Sequence, residues 1–186
     1  MSGNDELRTL LNKQLLAAAR QQGNVDELLS NPQHRDPEDA NNFMFDINCT
    51  DVLGNTPLHL AVSSGSIENV NLLIESEAGC DVDPQNFQGD TPLHLAVQIQ
   101  DTEIRRGIVE ALVDAGADAS IKLTNKAGQT PKDLCNIYCW DDAEVISWTT
   151  PSLRKVEAFI DADDIASGEL TPKFLLKRGP QRDLQR

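Results

Sequence analysis

Aromatic residues are scarce: five Phe, two Trp and one Tyr make up 4% of 186 residues. A sandwich built on stacked rings is excluded by that count, and the core falls to Leu, Ala, Val and Ile, as in small helices packed closely together. Missing too is any stretch near the roughly 18 consecutive apolar residues of a membrane span. The start, MSGNDELRTLLNKQLLAAAR, lacks a basic region followed by an apolar run, so no secretory signal is expected. The four cysteines, Cys49, Cys80, Cys135 and Cys139, are therefore expected as reduced thiols, with cytosol or nucleus as the compartment. A Gly-rich phosphate loop, a nucleophile elbow and an HExxH motif are all absent, so no catalytic residue, cofactor or metal is expected.

Basic residues are missing from one long stretch. Between Arg35 and Arg105 there is no Lys or Arg, yet thirteen acids lie there, from Asp36 to Glu103. The whole chain carries 16 basic and 30 acidic residues, a net charge of −14, which makes nucleic acid and anionic lipid poor partners. From Thr171 onward the sign reverses, with five basic residues against Asp183. With 39% hydrophobic residues, the length suits one domain or one short array of repeats.

What is present is an internal repeat. GNTPLHLAV at Gly54 to Val62 recurs as GDTPLHLAV at Gly89 to Val97, with a weaker copy, GQTPKDL, at Gly128 to Leu134. Thr56, Thr91 and Thr130 are 35 and 39 residues apart. Gly54, Gly89 and Gly128 suit the positive φ of a tight reversal, and Thr56-Pro57, Thr91-Pro92 and Thr130-Pro131 read as an N-cap followed by proline at the first helical position. Leu58, Ala61 and Val62, like Leu93, Ala96 and Val97, then fall at helical spacing. Ile67, Val70, Leu73 and Ile74 give a second helix its stripe, matched by Ile104, Ile108, Val109, Leu112 and Val113. One such pair of helices cannot bury both faces, so the units must stack.

TPLH at Thr56 to His59 and at Thr91 to His94, with AGAD at Ala115 to Asp118, closely resembles the ankyrin repeat. DINCTD at Asp46 and CDVDPQN at Cys80 look like the loops that precede a repeat. LLAAARQQGNVDELL at Leu15 to Leu29 is similar to an N-terminal cap, with Leu16 aligned to Leu58, Gly23 to Gly65, and polar Arg20 replacing Val62. TPKDLCNIYCWDDAEVISW at Thr130 to Trp148 is similar to a C-terminal cap, with Lys132 and Asp133 replacing Leu and His. The resemblance implies an all-α helix-turn-helix solenoid with protruding β-turn loops. About four units are expected over residues 5–150, at about 5–45, 46–83, 84–122 and 123–150. An extra helix is expected within 151–170, from Leu153, Val156, Phe159 and Ile160, followed by a basic, solvated tail at 171–186. Every unit exceeds the family's usual length of about 33 residues. Ser30 to Met44 is expected as an exposed loop, and Gln98 to Gly107 lengthens the third unit, either by extending a helix or by bulging outward.

In this family the Thr and His corresponding to Thr56 and His59, and to Thr91 and His94, tie the turn to the helix, which implies a scaffold role. Cys135 and Cys139 lie four apart, on one face if the segment is helical. Two thiols fall short of a structural zinc site, so they read as packing residues, with a redox pair as the other reading. Cys49 and Cys80 also read as packing. Carboxylate pairs such as Asp141 with Asp142 show no partner and read as solvated or as helix N-terminal charges.

Partners of related proteins lie in the concave groove of loop tips and first helices. Aligned units place Val52, Phe87 and Lys126 at one tip position and Leu53, Gln88 and Ala127 at the next. Asn55, Asp90 and Gln129 precede the threonines. Leu60, Ser63, Ser64, Leu95, Gln98 and Ile99 are expected to face outward, with Asp51 at the margin. Val52, Leu53 and Phe87 are then candidate apolar anchors, unless Leu53 and Phe87 fold onto adjacent loops. The expectation is a non-enzymatic, monomeric interaction module, an adaptor or dedicated chaperone for a basic segment such as a ribosomal protein or histone-like tail. The alternatives are a regulatory or inhibitory subunit acting partly through the C-terminal tail, and a Cys/His metal or redox protein. The acidity also reads as serving solubility alone.

Overall fold

The computed structural model describes residues 3–21, 25–36, 42–76 and 78–150. The expected helix within 151–170, the tail at 171–186 and Gly23 lie outside the described residues. Each TPxxL segment starts a helix where the sequence places one. Thr56, Thr91 and Thr130 are N-caps in extended conformation, and Pro57, Pro92 and Pro131 begin α3 (Pro57–Ser64), α5 (Pro92–Ala96) and α7 (Pro131–Tyr138). Ser66, Asp101 and Asp142 cap the partner helices α4 (Ile67–Glu75), α6 (Thr102–Asp114) and α8 (Ala143–Trp148). With α1 (Gly3–Arg20) and α2 (Val25–Ser30), this makes four helix pairs among the described residues. The first helices stack as α1, α3, α5 and α7, and the second helices as α2, α4, α6 and α8, the two layers packing on each other within each pair.

The core runs between these layers. Leu15, Leu58, Leu73, Leu93, Ile108 and Leu112 are fully buried, and Ala19, Ala61 and Ala96 let the first helices approach closely. Among the described residues no helix is long and apolar enough to cross a membrane.

The extra residues of the third unit extend a helix and do not bulge. The N-caps Ser66 and Asp101 each lie ten residues beyond their threonines, so the number of residues from one helix start to the next is the same in both units, although α5 ends sooner than α3. The excess enters beyond the cap, where α6 has 13 residues against nine in α4, about one additional turn. Gly107 lies within α6 at the closest approach to α4, where an added Cβ would stand 2.9 Å from the Ile67 Cδ1. Helix propensity disfavours glycine there, and the contact with Ile67 accounts for it.

The additional turn carries Arg105, which is buried. Its guanidinium donates to the Asp142 carboxylate at 3.0 Å and to the Ile99 carbonyl at 2.8 Å, while Arg106 Nε reaches both Asp142 oxygens at 3.1 and 3.2 Å. Asp142 also accepts from the Val145 N–H as the cap of α8. Burial opposes its ionisation, but Arg105, the Val145 amide and Arg106 together hold its carboxyl below the usual carboxylate range. Asp142 is therefore a helix-terminal charge, as expected, and it has two arginine partners, Arg105 buried and Arg106 partly exposed, that sequence spacing does not reveal.

The segment Ser30 to Met44 departs from a simple exposed loop. Asn31 caps a 3₁₀ turn at Pro32–His34, and Arg35 pairs with Phe43 across a single antiparallel bridge. The Arg35 guanidinium lies 3.9 Å from the Phe43 ring centroid, and Phe43 packs on buried Phe45 at 4.8 Å. Three of the few aromatic side chains, counting His34 against Phe45, thus hold the base of this insertion against the array.

Replacing Asp142 with Ala strands Arg105 in the interior and should cost about 3 kcal/mol in denaturant unfolding. Changing Arg105 and Asp142 together to Leu should cost less than Asp142→Ala alone, since no unpaired charge is then left buried at that contact.

Candidate functional site: the loop-tip ridge and its groove

The loop tips form a hydrogen-bonded ridge in which each side chain has a local role. Asp51 Oδ1 accepts from the N–H groups of Leu53 and Asn55 at 2.8 and 2.9 Å. Asn86 Oδ1 does the same for Gln88 and Asp90, and Asn125 Oδ1 for Ala127 and Gln129. These are three copies of one Asx turn. The side-chain amide of each Asn then reaches back one unit, Asn86 to Asn55 Oδ1 and Asn125 to Asp90 Oδ1, both at 2.9 Å. The backbones join as well: Phe87 N–H donates to the Leu53 carbonyl at 3.0 Å and Lys126 N–H to that of Gln88 at 2.9 Å.

Below the tips, the histidines connect one unit to the next. Thr56 N–H donates to His59 Nδ1 at 3.2 Å, and the Thr56 hydroxyl lies 2.9 Å from the same nitrogen. Nδ1 is thus the acceptor, so the neutral ring carries its proton on Nε2, which donates to the Asp90 carbonyl at 2.9 Å. His94 repeats the arrangement with Thr91 and donates to the Gln129 carbonyl at 3.0 Å. In the fourth pair, Asp133 closes the capping box on Thr130 but has no second donor to pass onward. Both histidines are scaffold residues.

The ridge presents Val52 at 90% and Phe87 at 63% exposure, with Leu53 more than half exposed. Gln88 and Lys126 are also exposed beside them. Phe87 is held by its own neighbour: at Gly54, where φ is +77°, an added Cβ would stand 2.6 Å from the Phe87 ring. The ring therefore lies with one side on Gly54 and the rest in solvent, which combines the two orientations open to it in the sequence.

Along the first helices the sequence expectation needs correcting at Leu60. It is buried, at 6% exposure, within the core cluster, because α1 covers that side of α3. Ser64 is half-buried and donates to the carbonyls of Ala61 and Ala19, so it serves the contact with α1. Ser63 is exposed, while Leu95, Gln98, Ile99, Asn55 and Asp90 are half-buried. A cavity of about 490 Å³ opens between α1 and the first tip, lined by Lys13, Leu16, Arg20, Asp51 and Val52 among others. This end of the groove is not uniformly acidic. Arg20 lies 3.4 Å from Asp51; although burial opposes ionisation of Asp51, the amides of Asn55 and Leu53 hold its carboxyl below the usual range.

The thiols are embedded. Burial, with Asp46 beside one and Asp81 beside the other, pushes Cys49 and Cys80 up to about 12. Cys135 and Cys139 are fully buried with their Sγ atoms in contact, and burial raises both. Thiolate nucleophiles would need the opposite shift. Among the described residues no group of three or more His, Cys, Asp or Glu is placed to hold a metal.

A family model for ankyrin repeats matches three copies over residues 14–125. The chain belongs to the ankyrin repeat family, whose members are typically non-enzymatic modules that bind other proteins. No individual curated protein matches it. The match ends before α7 and α8, where Lys132 and Asp133 replace the Leu and His of the inner units.

Burial holds both His59 and His94 below their ordinary value of 6.5, partly offset by the carbonyls they bond. The unfolded chain takes up protons near pH 6.5 and the folded chain only at lower pH. The contribution of these rings is thus fully present above pH 6.5 and lost as pH falls through their depressed folded values. Urea midpoints measured at pH 7.5, 6.5 and 5.5 should fall most in the last step. The double variant His59→Gln/His94→Gln should be less stable at pH 7.5 and show a flatter profile.

Proposed function

We propose that the chain is an adaptor or dedicated chaperone that holds a basic segment of another protein against the loop-tip ridge. The observation that carries this reading is the exposure of Val52, Leu53 and Phe87 on a ridge whose backbone is fixed by hydrogen bonds between units. A preorganised apolar edge loses little entropy on binding, which suits it to anchor a partner. The absence of Lys and Arg between Arg35 and Arg105 supports the choice of a basic partner, because that stretch contains both copies of the TPLHLAV motif and the tips before them. Lys13 and Arg20 at the α1 end favour a segment whose basic residues lie along the second and third pairs. On this reading the protein works as a monomer in the cytosol or nucleus, with units at about 5–45, 46–83, 84–122 and 123–150.

Affinity capture followed by mass spectrometry, with the wild-type chain and with Phe87→Ala, tests the surface. The variant should lose the principal partner, its affinity falling about tenfold or more, while the unfolding free energy changes by less than about 1 kcal/mol. Unchanged capture would place the binding face elsewhere. Affinity for the captured partner should also fall as salt rises from low to physiological ionic strength; binding indifferent to salt would remove the electrostatic part of the proposal.

A further inference from the structure

The fourth pair carries two thiols that stacking alone does not call for. Counted from the capping threonines, Cys135 takes the place of Ala61 and Ala96, and Cys139 that of Gly65, which ends α3 in a left-handed conformation. Alanine and glycine serve at these places in the second pair, yet the fourth has sulfur at both. Cys139 ends α7 in another way. Its φ of −142° and ψ of 40° lie outside the helical region, while its N–H still donates to the Cys135 carbonyl at 2.8 Å. On a regular helix, β-carbons four residues apart are separated by about 5–6 Å, more than the roughly 3.5–4.5 Å that a disulfide spans. Leaving the helix frees Cys139 from that spacing, and the two sulfurs stand 2.6 Å apart, both fully buried.

The two thiols are not equivalent. Burial raises both, but at Cys139 the hydrogen bond from Cys135 and the Arg105 charge work against it, whereas at Cys135 the neighbouring sulfur adds to it. The Arg105 Nε is buried with no hydrogen-bond partner among the described residues, so the guanidinium keeps a donor in reserve beside the pair. Cys139 also lies at the end of α7, between exposed Tyr138 and Trp140, and fraying of the last turn uncovers it first. Its carbonyl accepts from the Asp142 N–H at 2.9 Å. The position of Cys139 thus bears on the carboxylate that meets Arg105.

We propose that Cys135 and Cys139 are a reversible redox pair, closed by glutathione disulfide into a bond that fastens the end of α7 and, through it, the loop that holds Asp142 against Arg105. While the last turn is shut, both thiols are protonated and inert. When it opens, the Cys139 sulfur attacks glutathione disulfide and forms a mixed disulfide, and one glutathione leaves with the proton that Cys139 gives up. The Cys135 sulfur then displaces the second glutathione, which leaves with the Cys135 proton. Two thiols are oxidised and one disulfide is reduced to two thiols, so no further oxidant is needed and excess glutathione reverses the step. Pairs of this kind in reducing compartments are transient and redox-sensing. The site is independent of the loop-tip ridge, and neither proposal needs the other.

The test is a redox titration of the wild-type full chain in glutathione buffers, native and unfolded in urea. Tryptic peptide 133–154 contains both thiols, and closure makes it two hydrogens lighter and resistant to alkylation. The native pair should be half closed in a buffer about tenfold more reducing than the unfolded pair requires, because the fold holds the sulfurs together. A native pair that closes no more readily than the unfolded one overturns the proposal, as does bonding of either sulfur to Cys49, Cys80 or a second chain. Hydrogen exchange reads the fastening. The Cys139 and Asp142 amides should exchange several-fold more slowly in the oxidised chain than in the reduced one, and Cys135→Ala, which restores the alanine of the inner units, should abolish the difference. Equal exchange in the oxidised and reduced wild-type chain overturns the proposal.

Discussion

The stack depends on a neutral imidazole that bonds in two directions. Within its own unit His59 accepts at Nδ1 from Thr56, completing the cap that starts α3, and across the interface it donates from Nε2 to the Asp90 carbonyl. One side chain therefore couples the start of a helix to the docking of the next unit. Protonation would put a donor against the Thr56 N–H, which is why burial and function of the ring agree on the neutral form. His94 carries the link onward to Gln129, and Asp133 ends it. The spacing of tips and helices follows from this coupling, since each capping box fixes where the next turn must sit.

The acidity of the chain has two structural uses as well as a surface one. Asp51 and the paired asparagines close the tips, Asp83 accepts from the Ser120 N–H, and Asp101 and Asp142 cap helices. Carboxylates engaged in this way still carry charge, so they contribute to the field along the groove while being held by the backbone. At the ridge this holds for Asp51 alone, since Asn86 and Asn125 close the other two tips without charge. A partner meeting this edge encounters apolar side chains whose positions are fixed by the groups that surround them.

Much of the fold is legible in the sequence because each piece is set by local chemistry. Thr-Pro pairs mark helix starts, glycines mark turns, and Leu and Ala spacing marks the stacking faces; all of these act within a few residues. What escapes is set by contacts across units. Leu60 looks like an outward position when α3 is viewed alone and is buried because α1 lies against it. Ser64 is likewise drawn into that contact. Asp142 finds partners 36 and 37 residues earlier, a pairing that no repeat period suggests because the arginines lie in an insertion. The aromatic base of the 30–44 segment is missed for a related reason: its polar composition conceals three side chains that gather only when the chain turns back.

The lengthened α6 has a consequence for assembly. Two units that share TPLHLAV could in principle exchange places in the stack, with one docking where the other belongs, a hazard of near-identical repeats. The additional turn makes the third pair unlike the second, and its buried Arg105 has a counter-charge only when Asp142 of the fourth pair stands opposite. A misordered stack would leave a guanidinium in the interior with no counter-charge. The ion pair thus gives the interface between the third and fourth pairs an identity of its own, a charge match set across units that otherwise share one stacking chemistry.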